Sequence, residues 1–190
     1  MGDFYQTGIV TTLHNLTQRC TDALESELLA FSKHKRLGLI LPCLYSELET
    51  EAMPNIVREL SHVPYLSQVV IGLDCAIEEE YRKALVVFNQ LPQETKVLWN
   101  DGPRLRAVDQ KLRDAKLSPD QMGKGRNVWF CMGYVLGSNQ ADALAIHDCD
   151  IVTYDRALLA RLLYPVAHPQ FNYEFCKGYY TRVSNGKMNG

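Results

Sequence analysis

Apolar residues recur at helical spacing through Leu16, Cys20, Leu24, Leu28 and Phe31, which predicts a helix over residues 16–33. Directly after it, Leu37-Gly38-Leu39-Ile40-Leu41 is a short unbroken apolar run closed by Pro42, the pattern of a strand covered on both faces. Ser46 and Glu49 have the spacing of a capping box, while Pro54 places the regular part of the next helix at residues 54–60. Val69-Val70-Ile71-Gly72-Leu73 repeats the buried-strand pattern, and Tyr81, Leu85 and Phe88 line one side of a helix over 78–89. Lys96-Val97-Leu98-Trp99 is a third strand, stopped by the turn signal Asn100-Asp101-Gly102-Pro103. Two helices are expected next, over 104–116 and from Gly123-Lys124-Gly125 to Val135. A strand from Ala143 to His147 and a helix over 156–163 follow. Strands alternating with helices in this order predict an α/β fold with a mostly parallel sheet and helices on both faces.

Composition narrows the partners more than the fold. A chain of 190 residues is long enough for one domain with a full core. Its formal net charge of -2 provides no electrostatic reason to bind nucleic acid or an anionic membrane. The opening Met1-Gly2-Asp3-Phe4-Tyr5 lacks the basic and apolar regions of a secretory signal, and no apolar run approaches the ~18 residues of a membrane span, so a cytoplasmic location is expected. Cys20, Cys43, Cys75, Cys131, Cys149 and Cys176 form no C-x-x-C pair. They read as reduced, structural thiols, and the clustered spacing of a zinc site is missing.

In open parallel sheets, ligands gather beyond the carboxyl ends of the strands. Those places hold Pro42 to Glu47, Asp74, Asp101, and the pair Asp148 and Asp150. If the last strand persists through them, Asp148 and Asp150 project from one side and can share a hard cation such as Mg²⁺ or Mn²⁺, which in turn grips a diphosphate. A solvated acidic pair capping the following helix is the alternative. Gly123-Lys124-Gly125 offers a close backbone approach and a point charge at a helix N-terminus, the chemistry of a phosphate site, or else a flexible loop with an exposed lysine. Lys177 and Arg182 flank Tyr179 and Tyr180 and can hold an anionic acceptor. Alternatively they form the solvated side of a strand in which Phe171, Tyr173 and Phe175 alternate. His147 reads as a packing or hydrogen-bonding residue.

Four segments together carry a resemblance: Leu41-Pro42-Cys43-Leu44-Tyr45-Ser46-Glu47, Gly123-Lys124-Gly125-Arg126-Asn127-Val128-Trp129, Asp148-Cys149-Asp150 and Lys177-Gly178-Tyr179-Tyr180. In order and spacing they resemble glucosyl-3-phosphoglycerate synthases, retaining glycosyltransferases with the Rossmann-like GT-A fold. The stretch from Gly2-Asp3-Phe4 to Leu16 also looks like a bacterial branch of that group. The resemblance implies transfer of glucose or a related hexose from a UDP- or GDP-sugar to 3-phosphoglycerate or a related small acid, with Mg²⁺ or Mn²⁺ and as a homodimer. It further implies that Pro42, Cys43 and Leu44 lie against the base and ribose. Glu47 keeps the acid of a family Asn-Glu-Glu that is Tyr45-Ser46-Glu47 here. By the same mapping Asp74 sits beside the nucleotide, Lys124 meets the diphosphate, Asp148 and Cys149 line the donor site, and Asp150 with Asp148 holds the metal. Lys177 and Arg182 fall to the acceptor, and no catalytic base is assigned.

The expected organisation is an N-terminal helical segment over 1–35 followed by a nucleotide-sugar-binding domain over 36–190. The acceptor part is expected to be incomplete, because Ser184 to Gly190 matches only the start of the family's glycine-rich acceptor loop. Two other readings stand beside the transferase. One is an inactive donor-binding fragment of such an enzyme. The other is a haloacid-dehalogenase-type phosphatase using Asp148-Cys149-Asp150-Ile151-Val152 as its nucleophile loop, against which stands the short stretch of 40 residues after Asp150.

Overall fold

A computed structural model describes residues 16, 18–119, 121–178, 182–184 and 187–189, with side chains described as far as residue 178. The elements run α1 (Thr21–Phe31), β1 (Leu37–Leu44), a 3₁₀ turn (Tyr45–Glu49), α2 (Ala52–Ser61), β2 (Leu66–Asp74), α3 (Glu78–Phe88), β3 (Glu94–Trp99), α4 (Pro103–Asp114), α5 (Lys124–Ser138), β4 (Ala143–Ile146) and α6 (Arg156–Ala167). Two short strands, β5 (Arg182–Ser184) and β6 (Lys187–Asn189), pair antiparallel as a separate sheet.

The main sheet is all parallel, in the order β3-β2-β1-β4. Its two faces follow from the period of two along a strand. Leu37, Leu39, Leu41 and Cys43 of β1, with Val69, Ile71 and Leu73 of β2, pack into the larger core with Leu24 and Leu28 of α1, Ile56 and Leu60 of α2, Phe88 of α3 and Leu159 and Leu163 of α6. The intervening Ile40 and Val70 face the other way, onto Cys131 and Val135 of α5. Helices therefore cover both faces, as the alternation of elements required. Among the described residues, no helix is long and apolar enough to cross a membrane.

Pro42 does not close β1, which continues to Leu44 with Pro42 opposite Gly72 of β2. The Ile40 carbonyl accepts from His147 N–H at 3.1 Å, so even-numbered residues of β1 turn their polar groups toward β4. The β1–β4 ladder stops at Ile40 and Ile146. Pro42 thus lacks an N–H where no strand remains to receive it, and nothing is lost. Pro54 likewise sits within the first turn of α2, where amide donors have no helical partner, so the helix starts at Ala52.

The expected Ser46–Glu49 capping box is not the one formed: the Glu47 carboxylate accepts from Leu44 N–H at 2.7 Å and fixes the turn after β1. Phe171, Tyr173 and Phe175 do not form a strand. Phe171 N–H closes a turn onto the His168 carbonyl at 3.2 Å, its ring stacks on His168 at 3.9 Å, and Phe175 is exposed.

Arg36 and Asp142 clamp the starts of β1 and β4. The Asp142 carboxylate accepts from Arg36 backbone N–H at 2.8 Å and from its guanidinium at 2.7 and 3.0 Å, while Asp142 N–H donates to the Arg36 carbonyl at 2.8 Å. These bonds hold the Asp142 carboxyl down at about 2. A depressed acid stabilises the fold fully above its unfolded value near ~3.9 and loses that contribution as pH falls through the folded value. The pair is partly exposed, so solvent screens it and the effect is modest. Asp142→Asn is expected to lower the melting temperature at neutral pH and to leave it almost unchanged at a pH of about 2, as read by thermal melts at both.

Candidate functional site

The sheet order creates a reversal: the chain proceeds outward from β1 through β2 to β3, then returns to place β4 on the other side of β1. At such a switch point in strand order, open sheets hold ligands in a crevice beyond the carboxyl ends of the strands. Here α2 and α6, which follow β1 and β4, both pack into the larger core, and α5 crosses on the opposite face. Pro42, Cys43 and Leu44 form the carboxyl end of β1, and Glu47 lies in the turn after it. The loop from His147 to Asp150 follows β4, and Asp74 ends β2 next door.

β4 stops at Ile146, so Asp148 and Asp150 do not project from a regular strand. Burial nevertheless alternates through the loop. His147 and Cys149 are buried, whereas Asp148 is half-buried and Asp150 exposed. His147 anchors it from inside: its backbone N–H bonds Ile40, and its Nδ1 lies 3.0 Å from the Tyr154 hydroxyl. Burial pushes the imidazole down to about 4, so it is neutral. The following helix takes its cap elsewhere, for Asp155 accepts from Ala157 N–H at 2.8 Å. Asp148 and Asp150 are therefore not the caps of α6.

Gly123 precedes α5 with φ of +123°, a backbone conformation that favours glycine. Lys124 then opens the helix, and its ammonium is hydrogen-bonded to the Asp148 carboxylate across the crevice mouth. The lysine is thus not a loose loop cation. Two sequence segments that chance alone could supply meet in space.

Two residues beside Lys124 fix the start of α5, and the sequence assigned neither a role. Asn127 Nδ2 donates to the Gly72 carbonyl of β2 at 2.7 Å, with Asn127 itself buried. Arg126 pairs with Asp109 of α4 at 2.6 Å, and Asp109 also receives Arg113 at 2.9 Å and the Ser118 hydroxyl at 2.5 Å. Burial works against the Asp109 charge, but these donors hold its carboxyl below the usual range. Their signal was a polar residue on the inward side of a helix otherwise marked by Phe130 and Cys131, and an acid within α4, neither of which specifies a partner.

At the ends of β2 and β3, Asp74 is buried, and burial together with the Asp101 charge pushes its carboxyl up. Asp101 is committed to the scaffold, accepting Ala76 N–H at 3.1 Å and pairing with Arg106 at 3.5 Å. Lys177 is exposed. Arg182 lies in β5 with its side chain outside the described residues, as are Tyr179, Tyr180 and the N-terminal stretch before Leu16.

No family model matches the chain. Over 185 residues it is 48% identical to the glucosyl-3-phosphoglycerate synthase of Persephonella marina, a match that spans 97% of this chain and 46% of that protein. It is 36% identical over 190 residues to the enzyme of the same name from Methanococcoides burtonii, spanning 98% of this chain and 45% of the relative. The chain therefore spans about half the length of the curated relatives it matches. The fold agrees with a crystal structure of glucosyl-3-phosphoglycerate synthase from Mycobacterium tuberculosis in complex with Mn²⁺, UDP and glucosyl-3-phosphoglycerate, with a TM-score of 0.50 at 16% identity over 77% of this chain and 44% of that one. A further structure of that enzyme holds Mn²⁺ and UDP-glucose, with the same TM-score and identity.

Proposed function

The chain is a homologue of glucosyl-3-phosphoglycerate synthases across nearly half their length, and we propose that it forms the donor-binding part of a retaining, metal-dependent transferase of the same kind. The reaction would move glucose from UDP-glucose to 3-phosphoglycerate. The observation that carries this reading is the Lys124–Asp148 pair at the switch-point crevice, with Asp150 exposed beside it.

Asp148 and Asp150 offer hard carboxylate oxygens, a donor set that fits Mg²⁺ or Mn²⁺. Such an ion neutralises charge on the leaving diphosphate. Lys124 and Asp148 each hold the other's charge at the crevice mouth; a metal–diphosphate complex presents the opposite charge to both, so each exchanges one partner for another at little electrostatic cost. Pro42, Cys43 and Leu44 supply the wall for the base and ribose, with Glu47 holding that wall through Leu44 N–H. Asp74 lies beside the nucleotide, and Cys149 forms the floor under Asp148. Lys177 and Arg182 are the proposed acceptor cations. The six free thiols accord with a cytoplasmic enzyme, and assembly as a homodimer belongs to the same reading.

Titration calorimetry with UDP-glucose tests the donor site. Binding by the 190-residue chain is expected to weaken at least about tenfold on chelation of the metal, and Asp150→Ala to bind at that weaker level with or without Mn²⁺. Equal affinity of the unaltered chain with and without Mn²⁺ would overturn the metal assignment. Transfer of radiolabelled glucose to 3-phosphoglycerate tests turnover separately from binding.

A further inference from the structure

Beneath the acidic rim lies a different set of donors. β1 and β4 pair from Leu37 with Ala143 to Ile40 with Ile146, and beyond the end of that ladder Cys149 comes close to Cys43. Both sulfurs turn to the larger core and are buried. The Cys43 thiol donates to the Leu44 carbonyl at 3.2 Å. Glu47 completes a triangle: one ligand atom from each of Cys43, Glu47 and Cys149 lies within 4.8 Å of the others. One Glu47 oxygen also accepts from Leu44 N–H at 2.7 Å.

Three donors this close need small side-chain rotations to bind one ion. A tetrahedral zinc site with Zn–S near ~2.3 Å sets its sulfurs about 3.8 Å apart, so the triangle must contract by no more than roughly 1 Å. The donor chemistry also separates this set from Asp148 and Asp150. Carboxylates alone suit Mg²⁺ or Mn²⁺, whereas two sulfurs and one oxygen favour a softer ion.

We propose that Cys43, Cys149 and Glu47 form a binding site for one thiophilic divalent cation of the zinc class. Binding releases the two thiol protons to solvent and leaves both sulfurs as thiolates. Cys131 cannot join this set, because it packs on the opposite face of the sheet. The inference does not depend on the transferase reading, since neither nucleotide nor Mn²⁺ takes part.

The test uses the reduced 190-residue chain with Cys20, Cys75 and Cys176 replaced by serine, loaded with one equivalent of Zn²⁺ alone. X-ray absorption is expected to show two sulfur neighbours at about 2.3 Å together with oxygen at about 2.0–2.2 Å. Only nitrogen or oxygen neighbours would overturn the site. Competition with a chromophoric chelator should show at least about tenfold weaker Zn²⁺ binding in Cys149→Ser and in Glu47→Gln, and no change in Asp150→Ala. Undiminished affinity in Cys149→Ser or Glu47→Gln would exclude a shared three-donor site. Circular dichroism checks the fold of each variant. Should Cys149→Ser fail to fold, the sulfur count in the parent protein decides.

Discussion

Gly72→Ala is expected to destabilise the protein by about 3 kcal/mol, lowering its melting temperature by roughly 6–12 °C. A β-carbon at this position would stand 1.6 Å from Asn127 Oδ1 and 2.7 Å from Cys131 Sγ. Neither neighbour is the free end of a flexible surface chain. Asn127 is buried and its amide holds the Gly72 carbonyl, so relieving the overlap also breaks a buried hydrogen bond. The steric and polar losses fall at one point, where α5 presses on β2. Thermal melts of Gly72→Ala, Asn127→Ala and the double variant separate them. The double variant is expected to be more stable than the two single losses summed, because removing Asn127 clears the space that the new methyl group needs. Additive losses would show that the clash is absorbed elsewhere.

Asp109→Ala is expected to cost about 3 kcal/mol by a different route. Its carboxylate accepts from Arg126, Arg113 and Ser118, and the Arg126 side chain is only 13% exposed. Removing the acid leaves that guanidinium in the protein with its charge uncompensated. The contact of Arg126 over the Phe130 ring, at 5.1 Å, returns part of the loss and places the cost at the low end for a broken buried pair. Asp109 joins α4 to the first turn of α5, so a second effect should appear at the crevice, where Lys124 loses its fixed origin. Thermal melts report the first effect and UDP-glucose titration the second. Replacing Arg126 with methionine as well should recover stability, since no buried charge then remains, but not donor affinity.

The two substitutions mark where local pattern stops being informative. Gly72 was legible only as part of an apolar run, and Asp109 only as one acid in a polar helix. Their importance comes from Asn127 and Arg126, 55 and 17 residues away along the chain. The same limit explains the loop after β4. Sequence period placed Asp148 and Asp150 on one side and Cys149 on the other, and burial follows that alternation although the regular strand ends at Ile146. The aromatic alternation of Phe171, Tyr173 and Phe175 had the same appearance. Phe171 instead folds onto His168 at the end of α6, and Phe175 is exposed.

Element order, the two-sided burial of β1 and β2, and the placing of Lys124 at a helix start and Asp148 after a strand were decided by sequence alone. Each depends on interactions within a few residues: the period of apolar positions, the φ of a glycine, the missing N–H of a proline. Strand order and register were decided by the tertiary structure, because a strand's edges carry no record of which neighbour they meet. That choice set β4 beside β1, brought Lys124 to Asp148, and turned two cysteines without a recognisable spacing into a close pair beside Glu47.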